Sequence, residues 1–69
     1  MIFDIYGRYK VQVRRDGEAW RAERIENGRR RPFSDLVIPA HLAEAEIARY
    51  LDDMLHEQAG PGTSIRRLE

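Results

Sequence analysis

The chain has 69 residues, 12 basic and 12 acidic side chains, and no cysteine. That length makes one small domain, residues 1–69, which buries only ~60% of the surface its unfolded form exposes; disulfides and thiolate zinc sites are excluded, and oligomerisation remains the common aid to a core worth ~3–5 kcal/mol. The zero net charge conceals a separation, since residues 1–34 hold nine basic and five acidic side chains while residues 35–59 hold one and six, a layout that points to a charged partner or to self-association.

Phe3, Ile5, Tyr9, Val11 and Val13 fall on odd positions, and Asp4, Tyr6, Arg8, Lys10, Gln12 and Arg14 on even ones. Period two with β-branched and aromatic residues predicts one strand with a buried face, bent or bulged at Gly7. Asp16-Gly17 predicts a two-residue type I′ hairpin. Closing the chain there sets Arg15 against Glu18, Val13 against Trp20 and Val11 against Ala22, with Lys10 against Glu23 and Gln12 against Arg21 on the other face. Asn27-Gly28 is a second turn signal, and a third strand is expected around Phe33 to Ile38 after a bulge or a longer loop.

Pro39 suits the first turn of a helix, and residues 40–58 read as one amphipathic helix. Ala40, Ala43, Ile47, Ala48, Tyr50, Leu51, Met54 and Leu55 share a broad apolar stripe, from which Leu42 falls away. Gly60-Pro61-Gly62 ends the helix, and Ile65 with its neighbours reads either as a short edge strand or as a frayed tail. The fold class is α+β: a three- or four-stranded antiparallel sheet in the order β-β-β-α, with or without a C-terminal strand, and one helix packed on one face. The expected core is Val11, Val13, Trp20, Phe33, Ile47, Leu51 and Leu55. No apolar run approaches the ~20 residues of a membrane span. Met1-Ile2-Phe3-Asp4 lacks the basic start and apolar stretch of a signal peptide, so a cytoplasmic location and no membrane partner are expected. Leu68-Glu69 reads as a vector-derived scar.

Catalysis finds little support. Ser34, Thr63 and Ser64 are the hydroxyl nucleophiles, and none sits in a Gly-x-Ser-x-Gly elbow. His41 and His56 lie ~22 Å apart along one helix and cannot share a metal within one chain. Asp52 and Asp53 diverge on a helix, and with Glu57 they read as a solvated acidic face. Gly60-Pro61-Gly62 follows a helix instead of preceding one, so it is no phosphate loop. No enzymatic activity, cofactor or metal is expected.

Binding is the remaining class. Ile2, Tyr6, Ala19 and Ile25 point outward from the uncovered sheet face, and Ile2, Tyr6 and Ile25 form a candidate protein interface for an unidentified partner or for a second copy in a homodimer. The alternative is weak nucleic-acid binding by Tyr6, Arg8, Lys10, Arg14 and Arg21, extended by the Arg29, Arg30, Arg31 run, with Tyr6 as the stacking platform. Against it, Asp4 and Glu23 share that face and the sequence pI is about 6.7. Eleven of the twelve basic residues are arginine. Guanidinium suits phosphate and carboxylate recognition, while an Arg-rich codon preference accounts for the same count without function.

The run Phe3-Asp4-Ile5-Tyr6-Gly7-Arg8-Tyr9, then Arg15-Asp16-Gly17-x-x-Trp20, then Ile38-Pro39 leading into Ala43-Glu44-x-Glu46-Ile47-Ala48-x-Tyr50-Leu51-Asp52-Asp53, is similar to short bacterial proteins of an uncharacterised family, over nearly the whole chain. That resemblance carries no activity and transfers no site residues. A looser likeness is to HicB-like antitoxin domains, through the β-β-β-α order and an aromatic just after the first hairpin; it implies a regulatory partner-binding role.

Overall fold

The alternation at the start of the chain belongs to two strands, not one. In a computed structural model describing residues 1–69, β1 (Ile2–Ile5) turns back through Tyr6-Gly7-Arg8 into β2 (Tyr9–Asp16), with Phe3 against Val11 and Ile5 against Tyr9. Tyr6 and Gly7 take φ of 54° and 73°, and Arg8 N–H donates to the Ile5 carbonyl at 2.9 Å, the pattern of a type I′ turn. The bulge or bend expected at Gly7 is therefore a chain reversal. Its three-residue loop leaves the paired Ile5 and Tyr9 four positions apart, so the odd-position apolar pattern runs through the turn unbroken.

The next hairpin closes on Gly17-Glu18 and leads into β3 (Ala19–Glu26). Gly17 has φ 63° and Glu18 does not enter the left-handed region, so the turn follows the type II′ pattern and not the expected I′. Pairing shifts by two residues from the expected register: Val13 meets Ala22, Arg15 meets Trp20, Gln12 meets Glu23 and Lys10 meets Ile25. A two-residue slip changes partners but keeps each side chain on its face.

Asn27 and Gly28, at φ 51° and 75°, make a strict two-residue turn, and β4 (Arg29–Pro32) follows at once. The strand expected over Phe33 to Ile38 is corrected accordingly. Phe33 N–H extends the ladder by one bond to the Ala22 carbonyl, 2.9 Å. The irregular segment beyond buries Leu36 and Ile38 and leaves Val37 73% exposed. A fifth strand, β5 (Ile65–Arg67), pairs with β1. The sheet has five antiparallel strands in the order β4-β3-β2-β1-β5, one or two more than expected. The chain order β-β-β-β-α-β also departs from the order on which the antitoxin likeness rests.

The helix starts later than Pro39 suggests. A single 3₁₀ turn over Glu44–Glu46 leads into α1 (Ile47–Leu55), and another follows over His56–Gln58. Residues 40–43 are withheld from the helix because two of their carbonyls serve the sheet: Ala40 accepts Arg15 Nη2–H at 2.9 Å and Leu42 accepts Trp20 Nε1–H at 3.1 Å. The Glu46 carboxylate accepts the Ala43 N–H at 2.9 Å, so a side chain satisfies one of the donors a helix start leaves open. Leu42 is half-buried against the core, whereas Met54, expected on the stripe, is 52% exposed.

Ile47, Leu51 and Leu55, at i, i+4 and i+8, press onto Phe3, Ile5, Tyr9, Val11 and Val13. Trp20 and Phe33 lie at the margin of this core and not at its centre. The Arg15 guanidinium covers Trp20 at 4.0 Å from the ring centroid, and Phe33 meets Tyr9 edge-on at 6.3 Å. Truncation at the centre should therefore be felt most. Leu51→Ala is expected to cost about 2–5 kcal/mol in urea unfolding, and Val37→Ala less than about 0.5 kcal/mol; equal midpoints for the two variants would contradict this core.

Candidate functional site

The helix and the irregular strap before it, residues 34–43, cover one face of the sheet, and the other carries no layer. Strand parity assigns the open face. Arg30, Ile25, Lys10, Asp4 and Arg66 form one row across all five strands, and Glu23, Gln12 and Ile2 lie in the next. Ile2 and Ile25, expected to point outward, do so and are half-buried. They stand about 12 Å apart, two strand spacings across and two residues along the strands, and the stems of Lys10 and Arg30 flank Ile25. Ala19 is outward and exposed.

The cations on this face divide by what neutralises them. Arg21 Nε sits 2.9 Å from Asp16 Oδ2, and Arg14 Nε lies 3.9 Å from Glu23 Oε1. Those two exposed pairs are worth little energetically, but they offset the direct cross-strand opposition of Arg14 and Arg21. Lys10, Arg30 and Arg66 have no carboxylate within ion-pair distance, and Arg8 projects free from the β1–β2 turn.

Tyr6 is not on the open face. The left-handed turn swings its ring to the helix side, where it is 4% exposed. Its hydroxyl donates to Asp52 Oδ1 at 2.5 Å. The correction removes the aromatic from both the expected protein interface and the expected nucleic-acid surface. No other aromatic side chain replaces it there: Phe3, Tyr9, Trp20 and Phe33 all belong to the helix side of the sheet.

The arginine run is split as well. In the strict hairpin, Arg30 lies on the open face with Ile25, while Arg29 and Arg31 face the helix side with Glu26 and Arg24. Arg24, which composition alone did not single out, lies over the Tyr9 ring at 3.8 Å from its centroid and binds Glu26 through Nε at 2.8 Å. Arg24, Glu26, Asn27, Arg29 and Arg31 line a cleft of about 560 Å³ with no apolar side chain. Strand parity counted from Asn27-Gly28 is the sequence signal that would have found this group.

The acidic residues of the helix do not form a common site. Asp52 is turned to Tyr6, with His56 Nδ1 4.0 Å away, while Asp53 and Glu57 are exposed. His41 lies in the strap outside α1 and is exposed. Ser34, Thr63 and Ser64 are exposed, and Thr63 is spent on the turn, its hydroxyl donating to the Gly60 carbonyl at 2.7 Å.

The family model for a domain of unknown function (DUF7661) matches residues 1–69, and the chain belongs to that family. No curated protein and no solved structure matches the chain.

The Tyr6–Asp52 contact has a pH signature. Burial, with the hydrogen bond to Asp52 and the charge of that carboxylate, pushes the Tyr6 hydroxyl from 10.0 up to about 12. The folded chain therefore holds this proton more tightly than the unfolded chain. Its contribution is fully present below about pH 10 and is lost as pH rises toward 12. Urea midpoints measured from neutral to alkaline pH should fall more steeply in that window for the parent chain than for Tyr6→Phe; parallel curves would show that Tyr6 ionises freely.

Proposed function

We propose that this member of the DUF7661 family is a non-enzymatic binding module of the cytoplasm that receives an acidic protein surface on the uncovered face of its sheet. The row Arg30, Ile25, Lys10, Asp4, Arg66 carries the reading, because it sets an apolar side chain between two cations without ion-pair partners. Ile2, half-buried on the same face, adds apolar surface on β1. An antiparallel sheet commonly leaves one face to solvent, so the uncovered face alone signifies nothing; an apolar side chain set between two cations that make no ion pair is what favours a partner.

The face is a better contact than the edge. Phe33 N–H bonds inward to Ala22, so Arg30 and Pro32 turn their main chain outward. Pro32 has no N–H to give, and a proline with arginine blunts strand addition at β4. Two open faces brought together would oppose their cations, so a second copy fits here better through the exposed acids of its helical layer, Asp53 and Glu57. Nucleic-acid binding by this face has lost its stacking platform with Tyr6 and two of its arginines with Arg29 and Arg31.

No helix of the chain is long and apolar enough to cross a membrane. Asp52 Oδ1 is engaged by the Tyr6 hydroxyl, and its neighbour His56, 4.0 Å away, has a side chain 77% exposed to water, which favours binding over acid–base chemistry.

Site-specific photocrosslinking in the native cell tests the reading, with p-benzoylphenylalanine placed at Ile25 or at Met54. The expected result is a discrete adduct from position 25 that Lys10→Glu with Arg30→Glu reduces by at least about tenfold. An adduct of twice the chain mass identifies a second copy as the occupant, and any other discrete mass a different protein. Adducts from position 54 alone, or none from position 25, would overturn it.

A further inference from the structure

We infer that the arginine cleft on the helix side of the β3–β4 hairpin is a binding site for a compact phosphate polyanion of the diphosphate class. It lies on the opposite side of the sheet from the proposed protein contact and does not rest on that reading.

The argument begins with parity. A two-residue turn at Asn27-Gly28 makes Arg24 and Arg31 direct cross-strand neighbours, with Arg29 one pair further toward the turn. Like charges directly opposed destabilise a strand pair. On the open face the corresponding opposition, Arg14 against Arg21, is met by two carboxylates, Glu23 and Asp16. In the cleft three guanidinium groups share one carboxylate, Glu26, and that one is bound to Arg24. Arg29 and Arg31 have neither an ion-pair partner nor a side-chain hydrogen bond. Arg29 stands directly opposite Glu26 but makes no ion pair with it, since that carboxylate is turned to Arg24, so two guanidinium groups are left unpaired on one short hairpin.

The cleft is also partly preorganised. Arg24 is held from below by the Tyr9 ring, from the side by Phe33 at 5.9 Å, and at its head by Glu26. Tyr9 is itself fixed, its hydroxyl donating to Gln58 Oε1 at 2.8 Å. The opening of about 560 Å³ suits a small molecule, and its lining of arginine, glutamate and asparagine offers an apolar ligand nothing. Planar guanidinium forks bind phosphate oxygens two at a time, and two neighbouring phosphates match two unneutralised arginines. A nucleic-acid strand fits less well. Arg24 already lies over the Tyr9 ring and takes the face a base would need, and the positive charge here is confined to one hairpin.

The test is an amide-resolved NMR titration with inorganic pyrophosphate and, separately, with ADP at matched ionic strength. Saturable shifts at Asn27, Gly28, Arg29 and Arg31 are expected. Equal affinity in the two arms assigns recognition to the diphosphate alone, and tighter ADP binding adds the nucleoside. Arg29→Ala and Arg31→Ala should each weaken binding about tenfold. Both side chains are exposed, so these variants should keep the parent's spectral dispersion. Arg30→Ala, one residue away but on the other face, should change affinity by less than about twofold. Three results would overturn the inference: no saturation up to about 10 mM pyrophosphate, equal losses in all three variants, or tighter binding of a short oligouridylate with shifts spreading to Lys10 and Arg14.

Discussion

One contact organises this domain: the apolar stripe of α1 laid on the odd-numbered side chains of β1 and β2. Phe3, Ile5, Val11, Val13, Ile47 and Leu51 are the side chains with essentially no exposure, and they come from those three elements alone. A chain of this size has few residues to spare for a core. The remaining parts are arranged to close its margins. The strap before the helix drops Leu36 and Ile38 into it, Trp20 is pinned to the strap through the Leu42 carbonyl, and Tyr6 and Tyr9 reach across to Asp52 and Gln58.

That contact also fixes where charge goes. Once the odd face of β2 is committed to the helix, the even face and its register partners on four other strands are committed to the outside. The basic half of the sequence thereby becomes a sheet, and the acidic half becomes the layer laid over it. The Arg29–Arg31 run shows the consequence most clearly. Three consecutive like residues in a strand cannot act as one patch, because alternate side chains leave on opposite faces. Arg30 joins Lys10 and Ile25 on the open face, and Arg29 and Arg31 join Arg24 above the Tyr9 ring.

Turn chemistry was legible at two of the three hairpin reversals. Asn27-Gly28 is a full type I′ signal and sits where the structure turns. Asp16-Gly17 marked its reversal one residue early, because a single glycine fits either the second position of I′ or the first of II′. Tyr6-Gly7 was read as a bulge or a bend, since a tyrosine in the left-handed region is uncommon and its cost is met only by tertiary contacts, namely burial of the ring and the bond to Asp52.

The sequence by itself determined the α+β class, the apolar faces of the strands and helix, the outward placement of Ile2 and Ile25, and the separation of basic from acidic halves. Each depends on periodicity or composition, which are local. Only the tertiary structure decided the number of strands, the hairpin register, the late start of the helix and the side taken by Tyr6. The period-two pattern is blind to a three-residue reversal and to a two-residue slip, because both preserve parity. The helix start depended on carbonyls claimed by Arg15 and Trp20, which lie more than twenty residues earlier in the chain. What became of the arginines followed from the same cause: side-chain direction is a strand property, but which direction faces a partner, a ligand or a core is settled only when the layers meet.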